Sequence, residues 1–134
     1  RKSNLIFIGR EKKVIDIDEL KLCLNETSSN LCLCGIDAKM IVDIKKEYPI
    51  GIIHKIYDYL EDILEISFSS LKSILFCVYE EKGVIQVNAT VDANSNFKKL
   101  KKIYPSVEIE KDEDELWYLT LKIKEGDYHE PESI

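Results

Sequence analysis

The stretch from Ile74 to Val91 constrains the fold most, because it reads as a β-hairpin. Ile74-Leu75-Phe76-Cys77-Val78-Tyr79 is wholly apolar, and Glu80-Glu81-Lys82-Gly83 is turn chemistry. Beyond the turn, Ile85, Val87, Ala89 and Val91 alternate with Gln86, Asn88 and Thr90. Period two sends successive side chains to opposite faces of a sheet, so the second run is a half-buried strand. The unbroken apolar run predicts a central strand buried on both faces.

Two long helices precede this hairpin. Leu20, Cys23, Leu24, Thr27, Leu31 and Cys34 recur at helical spacing and predict a helix over about 18–34. Asp16 with Glu19 suits a capping-box start, and Gly35 suits a left-handed end. A strand over 38–44 follows, with Ala38, Met40, Val42 and Ile44 on one face and Lys39, Asp43 and Lys45 on the other. Pro49 opens a second helix, as proline does at a first helical position, running to about Ser69 on a stripe of Ile53, Ile56, Leu60, Ile63, Leu64 and Ser67. After the hairpin, residues 92–96 are a break and Phe97 to Tyr104 a short helix closed by Pro105. Strands through Val107 and Ile109 and through Trp117, Leu119, Leu121 and Ile123 finish the order. Helices cluster early and strand pairs late. The expected fold is therefore α/β (α+β), a two-layer sandwich with helices on one face of a mixed β-sheet.

The chain has 134 residues, 45% of them hydrophobic and 33% charged, which suits one globular domain with its own core. It begins at Arg1 and reads as a domain of a longer protein: 1–15 a linker or the end of an upstream dimerisation helix, 16–126 the domain, 127–134 a frayed tail. No apolar run has the length of a membrane span. The net charge of −6 argues against nucleic acid, which needs clustered cations. The one basic cluster, Lys98, Lys99, Lys101 and Lys102, reads as a solvated helix face, with a docking patch as the alternative.

Cys23, Cys32, Cys34 and Cys77 lack zinc-site spacing and read as buried, reduced thiols, with redox or metal chemistry as alternatives. His54 reads as an ordinary surface residue. The sequons at Asn25 and Asn88 fall inside regular elements and read as chance matches.

This order of elements resembles the ATP-binding domain of sensor histidine kinases, the Bergerat fold of the GHKL ATPases, over roughly 16–125. In Tyr59-Leu60-Glu61-Asp62-Ile63-Leu64-Glu65, Glu61, Asp62 and Ile63 align with the family's Glu-Asn-Ala, whose Asn ligates magnesium. In Val91-Asp92-Ala93-Asn94-Ser95-Asn96, Asp92 aligns with the adenine-reading Asp of Asp-x-Gly-x-Gly, and Asn94 and Asn96 stand where glycines belong. Segments 18–35 and 57–61 also look like the C-terminal domain of membrane-anchored, kinase-like sensors of Gram-positive bacteria.

The resemblance implies ATP and magnesium as cofactors, with Asp62 as metal ligand and Asp92 as adenine contact. Bland readings stand beside both: Asp62 as a solvated helix residue and Asp92 as turn chemistry. A phosphate cradle needs inward backbone N–H groups, and glycine permits that approach. None of the five glycines, Gly9, Gly35, Gly51, Gly83 and Gly126, lies between Asp92 and Phe97. That interval also has no room for the family's mobile lid.

The expectation is a histidine-kinase-type domain with a vestigial nucleotide site, no catalytic residue and no cofactor. It would lie in the cytoplasm, tethered to the membrane through an upstream region. It would act through a protein partner or its own upstream dimerisation segment, with a homodimer as one form. The alternative is an active ATP-binding kinase domain.

Overall fold

The computed structural model describes residues 14–15, 17–44 and 48–124. The expectations for the linker up to residue 13, the Asp16 cap, Lys45 and the tail lie outside the described residues.

Helix α1, Ile17–Leu33, buries Ile17, Leu20, Leu24, Thr27 and Leu31. Its end is a Schellman motif: Ile36 N–H donates to Leu31 O at 3.0 Å and Gly35 N–H to Cys32 O at 3.0 Å. Gly35 has φ +84°, where a side chain would be strained. Leu31 and Ile36 of this motif are both buried in the core, where such motifs commonly carry an apolar contact. The helix therefore stops before the apolar stripe reaches Cys34. Cys32 and Cys34 are exposed and Cys23 and Cys77 half-buried, which corrects the reading of buried thiols.

A short strand β1, Val14–Ile15, pairs antiparallel with β3, Tyr48–Pro49. Pro49 is the N-cap of α2, Ile50–Ser67, with ψ 145°, one residue earlier than its expected first-turn place. Its missing N–H costs nothing at a helix start. Helix α2 buries Ile52, Ile53, Ile56, Tyr57, Tyr59, Leu60, Ile63 and Ser67, a wider stripe than that of α1. Thr27 Oγ1 and Tyr57 Oη lie 3.3 Å apart and join the two helices.

The remaining strands are β2 (Asp37–Asp43), β4 (Ser73–Glu81), β5 (Val84–Asp92), β6 (Glu108–Lys111) and β7 (Leu116–Lys124). They form a five-stranded sheet in the order β2-β4-β5-β7-β6. Only β2–β4 is parallel, joined across α2; the other pairs are antiparallel. The β4–β5 hairpin turns on Lys82-Gly83 alone, both at positive φ (52° and 80°). That is the left-handed pair a two-residue turn needs to match strand twist, so Glu80 and Glu81 belong to the strand rather than the turn.

The helices cover one sheet face, as expected. On it Ile74, Phe76, Val78, Ile85, Val87, Ala89, Val91, Trp117, Leu119, Leu121 and Ile123 are buried. The other face is open, which corrects the reading of β4 as buried on both faces. Leu75 is 37% exposed and Cys77 and Tyr79 half-buried. Their apolar character hid an ordinary alternation.

The edge strands carry charge outward. Asp37, Lys39 and Asp43 are exposed on β2, and Glu108, Glu110 and Lys111 on β6. From β5 the chain enters a 3-10 turn, Phe97–Lys99, and a four-residue helix α3, Leu100–Ile103. Among the described residues no helix is long and apolar enough to cross a membrane.

Candidate functional site

The residues aligned with the nucleotide motifs lie on α2 and at the end of β5, and the fold sends them in different directions. Ile63 is fully buried in the core. Glu61 lines a small cleft of about 220 Å³ facing α1, with Thr27, Asn30, Leu31, Leu64 and Phe68. Asp62, the next residue round the helix, accepts a hydrogen bond from Tyr104 Oη at 2.7 Å on its Oδ2.

Tyr104 is held there by its own backbone and ring. It ends α3, donates its N–H to Leu100 O at 2.8 Å and accepts from Val107 N–H at 3.0 Å. Its ring meets Tyr59 edge-on, centroids 5.3 Å apart at 82°, and Tyr59 packs on Phe76 at 6.3 Å. Edge-to-face contact sets the electropositive ring edge against a π face. Burial pushes the Tyr104 phenol well above its ordinary range, and the Asp62 hydrogen bond and the charges of Asp62 and Asp58 push it the same way. Burial alone raises Tyr59, whose Oη has no hydrogen-bond partner among the described residues. The Asp62 carboxylate is thus bonded to a neutral phenol, rather than standing on a solvated helix face.

Asp92 ends β5 opposite Ser73 and Leu116, and its carbonyl accepts from Lys72 N–H at 2.8 Å. The β5 alternation groups Asp92 with Gln86, Asn88 and Thr90, half-buried on the face away from the helices. The next helix-facing residue is Ala93, 5% exposed. An aspartate one residue out of phase with the buried set does not sit over α2.

Residues 93–96 are pinned rather than lid-like. Ser95 Oγ lies 2.9 Å from Ser70 Oγ, and Asn96 Oδ1 accepts from Lys98 N–H at 3.0 Å to cap the 3-10 turn. Among the described non-glycine residues positive φ occurs at Lys82 and Glu115, so Asn94 and Asn96 do not adopt it. The alternating right- and left-handed backbone of an anion nest is therefore missing from this loop.

Beside the loop lies an open groove of about 950 Å³ lined by Asn94, Ser95, Asn96, Lys98, Lys101, Ile109, Lys111 and Trp117. Neither Asp62 nor Asp92 lines it. Lys111 Nζ sits 5.2 Å from the Trp117 ring centroid and 3.6 Å from Glu115 Oε1. All four lysines of the basic cluster are exposed, but Lys98 and Lys101 form a wall of this groove rather than a featureless helix face. The sequence signal was the pairing of that cluster with the only tryptophan, far apart in the chain but joined by β7 returning beside β5.

His54 is half-buried with Nε2 enclosed and unpartnered among the described residues, which corrects its reading as a surface residue. Tyr104 was read only as a helix end. The signal that marked it was an aromatic before Pro105, where the chain must turn back over α2. Among the described residues no group of three or more His, Cys, Asp or Glu stands where it could hold a metal ion.

This arrangement of helices on a mixed sheet matches the fold of solved histidine-kinase catalytic domains. The catalytic domain of the histidine kinase ThkA, in a nucleotide-free form, superposes with a TM-score of 0.56 at 11% identity, covering 84% of this chain and 94% of that one. The Acinetobacter baumannii histidine kinase AdeS gives 0.59 at 8% identity, over 92% and 74%. A structure described as a bacterial phosphotransferase gives 0.54 at 10%, over 84% and 66%. No protein-family model and no curated protein matches the sequence.

Proposed function

We propose that this chain is the cytoplasmic output domain of a kinase-like membrane sensor of the Gram-positive type, with its nucleotide site lost, working through protein contacts. The observation that carries the reading is the junction after Asp92. Four residues without glycine, hydrogen-bonded at both ends, replace the loop that would cradle phosphates. The aligned side chains support it. Asp62 is taken by Tyr104, and Asp92 falls on the open sheet face. These residues do not fit ATP and magnesium, so no phosphoryl-transfer step is assigned to them. An upstream segment would tether the domain to the membrane and pair two copies.

The test is the melting temperature with and without Mg-ATP. Ligand at a hundred times its dissociation constant adds about 2.7 kcal/mol to the folded state, an obvious shift in a domain this small. No shift at millimolar Mg-ATP is expected. A clear shift that Asp62→Ala or Asp92→Asn removes would overturn the reading in favour of an active ATP-binding domain.

A further inference from the structure

The groove between residues 94–101 and the β6–β7 edge exists because the helix layer stops short. Helix α3 has only four residues, and it leaves Trp117 and Ile109 as a floor under a wall of lysines. Among the described residues, three cations, Lys98, Lys101 and Lys111, line the groove and no acidic residue does, in a chain whose net charge is −6. Glu115 Oε1 lies 3.6 Å from Lys111 Nζ at the edge of that wall. Lys98 and Lys101 are exposed, and neither is a cap or core residue. The polar residues Asn94, Ser95 and Asn96 line it as well.

Resting on the reading of a domain that works through protein contacts, we propose that this groove docks an acidic peptide segment of a partner protein. A single apolar anchor of that segment sits on Trp117 and Ile109, and its carboxylates meet Lys98, Lys101 and Lys111. A buried aromatic floor with a charged rim divides the work as protein interfaces do: the floor supplies affinity, the rim supplies rate and choice of partner. A basic or uncharged segment would leave Lys98 and Lys101 without counter-charge, whereas Lys111 already has Glu115.

Trp117 is the chain's single tryptophan, so its fluorescence reports on the groove floor directly. The probe is a short synthetic peptide of glutamates around one Phe–Leu pair, titrated into the full chain, with a lysine-for-glutamate peptide as control. The glutamate peptide is expected to shift Trp117 emission saturably and the control not to. The double reversal Lys98→Glu with Lys101→Glu should weaken binding about tenfold or more while leaving the melting temperature in place. Salt near 1 M, where screening acts within about 3 Å, should weaken it too.

Absence of saturable binding, or equal binding by the reversed variant, overturns the proposal and leaves the loss of the nucleotide site untouched. Displacement of the peptide by Mg-ATP or inorganic phosphate, with the same lysine dependence, overturns it in favour of a small anion. A peptide of residues 125–134 binding more tightly than the glutamate probe overturns it in favour of the chain's own acidic end. A Mg-ATP melting shift that depends on Asp62 but does not move Trp117 defeats the parent reading alone.

Discussion

Two patches of the same helix-covered sheet face have opposite fates. Over β4, the aromatic stack of Phe76, Tyr59 and Tyr104 fills the space beside α2 and closes on Asp62. Over β6 and β7, at Trp117, the covering helix gives out and a groove of about 950 Å³ stands open. One short connection causes both. With residues 93–96 leading straight into a 3-10 turn, Tyr104 is drawn back onto α2 and too little helix remains to reach the sheet edge. A shared fold therefore fixes where the layers lie. It does not fix which of the spaces between them stays open.

The comparison breaks if the stack is not structural. Tyr104→Ala removes a buried ring and the Asp62 hydrogen bond, and should cost about 4 kcal/mol in urea unfolding; a loss under about 1 kcal/mol would show the stack to be incidental. Tyr59→Phe sharpens the same point from the other side. It deletes a buried hydroxyl without a partner and should raise stability by about 1 kcal/mol, measured the same way.

Alkaline pH probes both phenols. The folded chain keeps Tyr104 and Tyr59 protonated to higher pH than the unfolded chain does. Their contribution is whole below about pH 10, the unfolded value, and is lost as pH rises toward the folded values. Stability should fall above about pH 10, and Tyr104→Phe should flatten part of that fall. An unchanged alkaline profile in the variant would remove Tyr104 from the account. The smallest effect belongs to the open patch. Lys98→Ala with Lys101→Ala should move stability by no more than about 0.5 kcal/mol, because neither is buried or capping.

The sequence made the layers readable wherever one face of an element is buried. The alternation of Ile85 to Val91 and the stripe of α2 each report one burial direction, and Gly35 marks a backbone angle that only glycine takes without strain. The β4 strand defeated the same logic, since Leu75, Cys77 and Tyr79 are apolar on a face the fold leaves open. Cys34 misled because the Schellman turn ends α1 before the stripe does, and Cys32 because it lies inside the helix but off its buried stripe. The motif alignment placed Asp92 by order along the chain. Phase along the strand is what decides its face, and one residue of offset sends it away from α2. The Asp62–Tyr104 bond spans 42 positions and depends on the return of the chain after α3, which no local pattern encodes.

The charged outward residues of the two edge strands have a consequence for handling the protein. Unpaired strand edges invite other chains to add on, and a lone charge facing outward makes that addition bury an ion. Asp37, Lys39 and Asp43 guard one edge; Glu108, Glu110 and Lys111 guard the other. A sheet with one bare face and two edges unpaired among the described residues is thereby kept from growing into a ribbon, and concentrated solutions of the domain should stay clear.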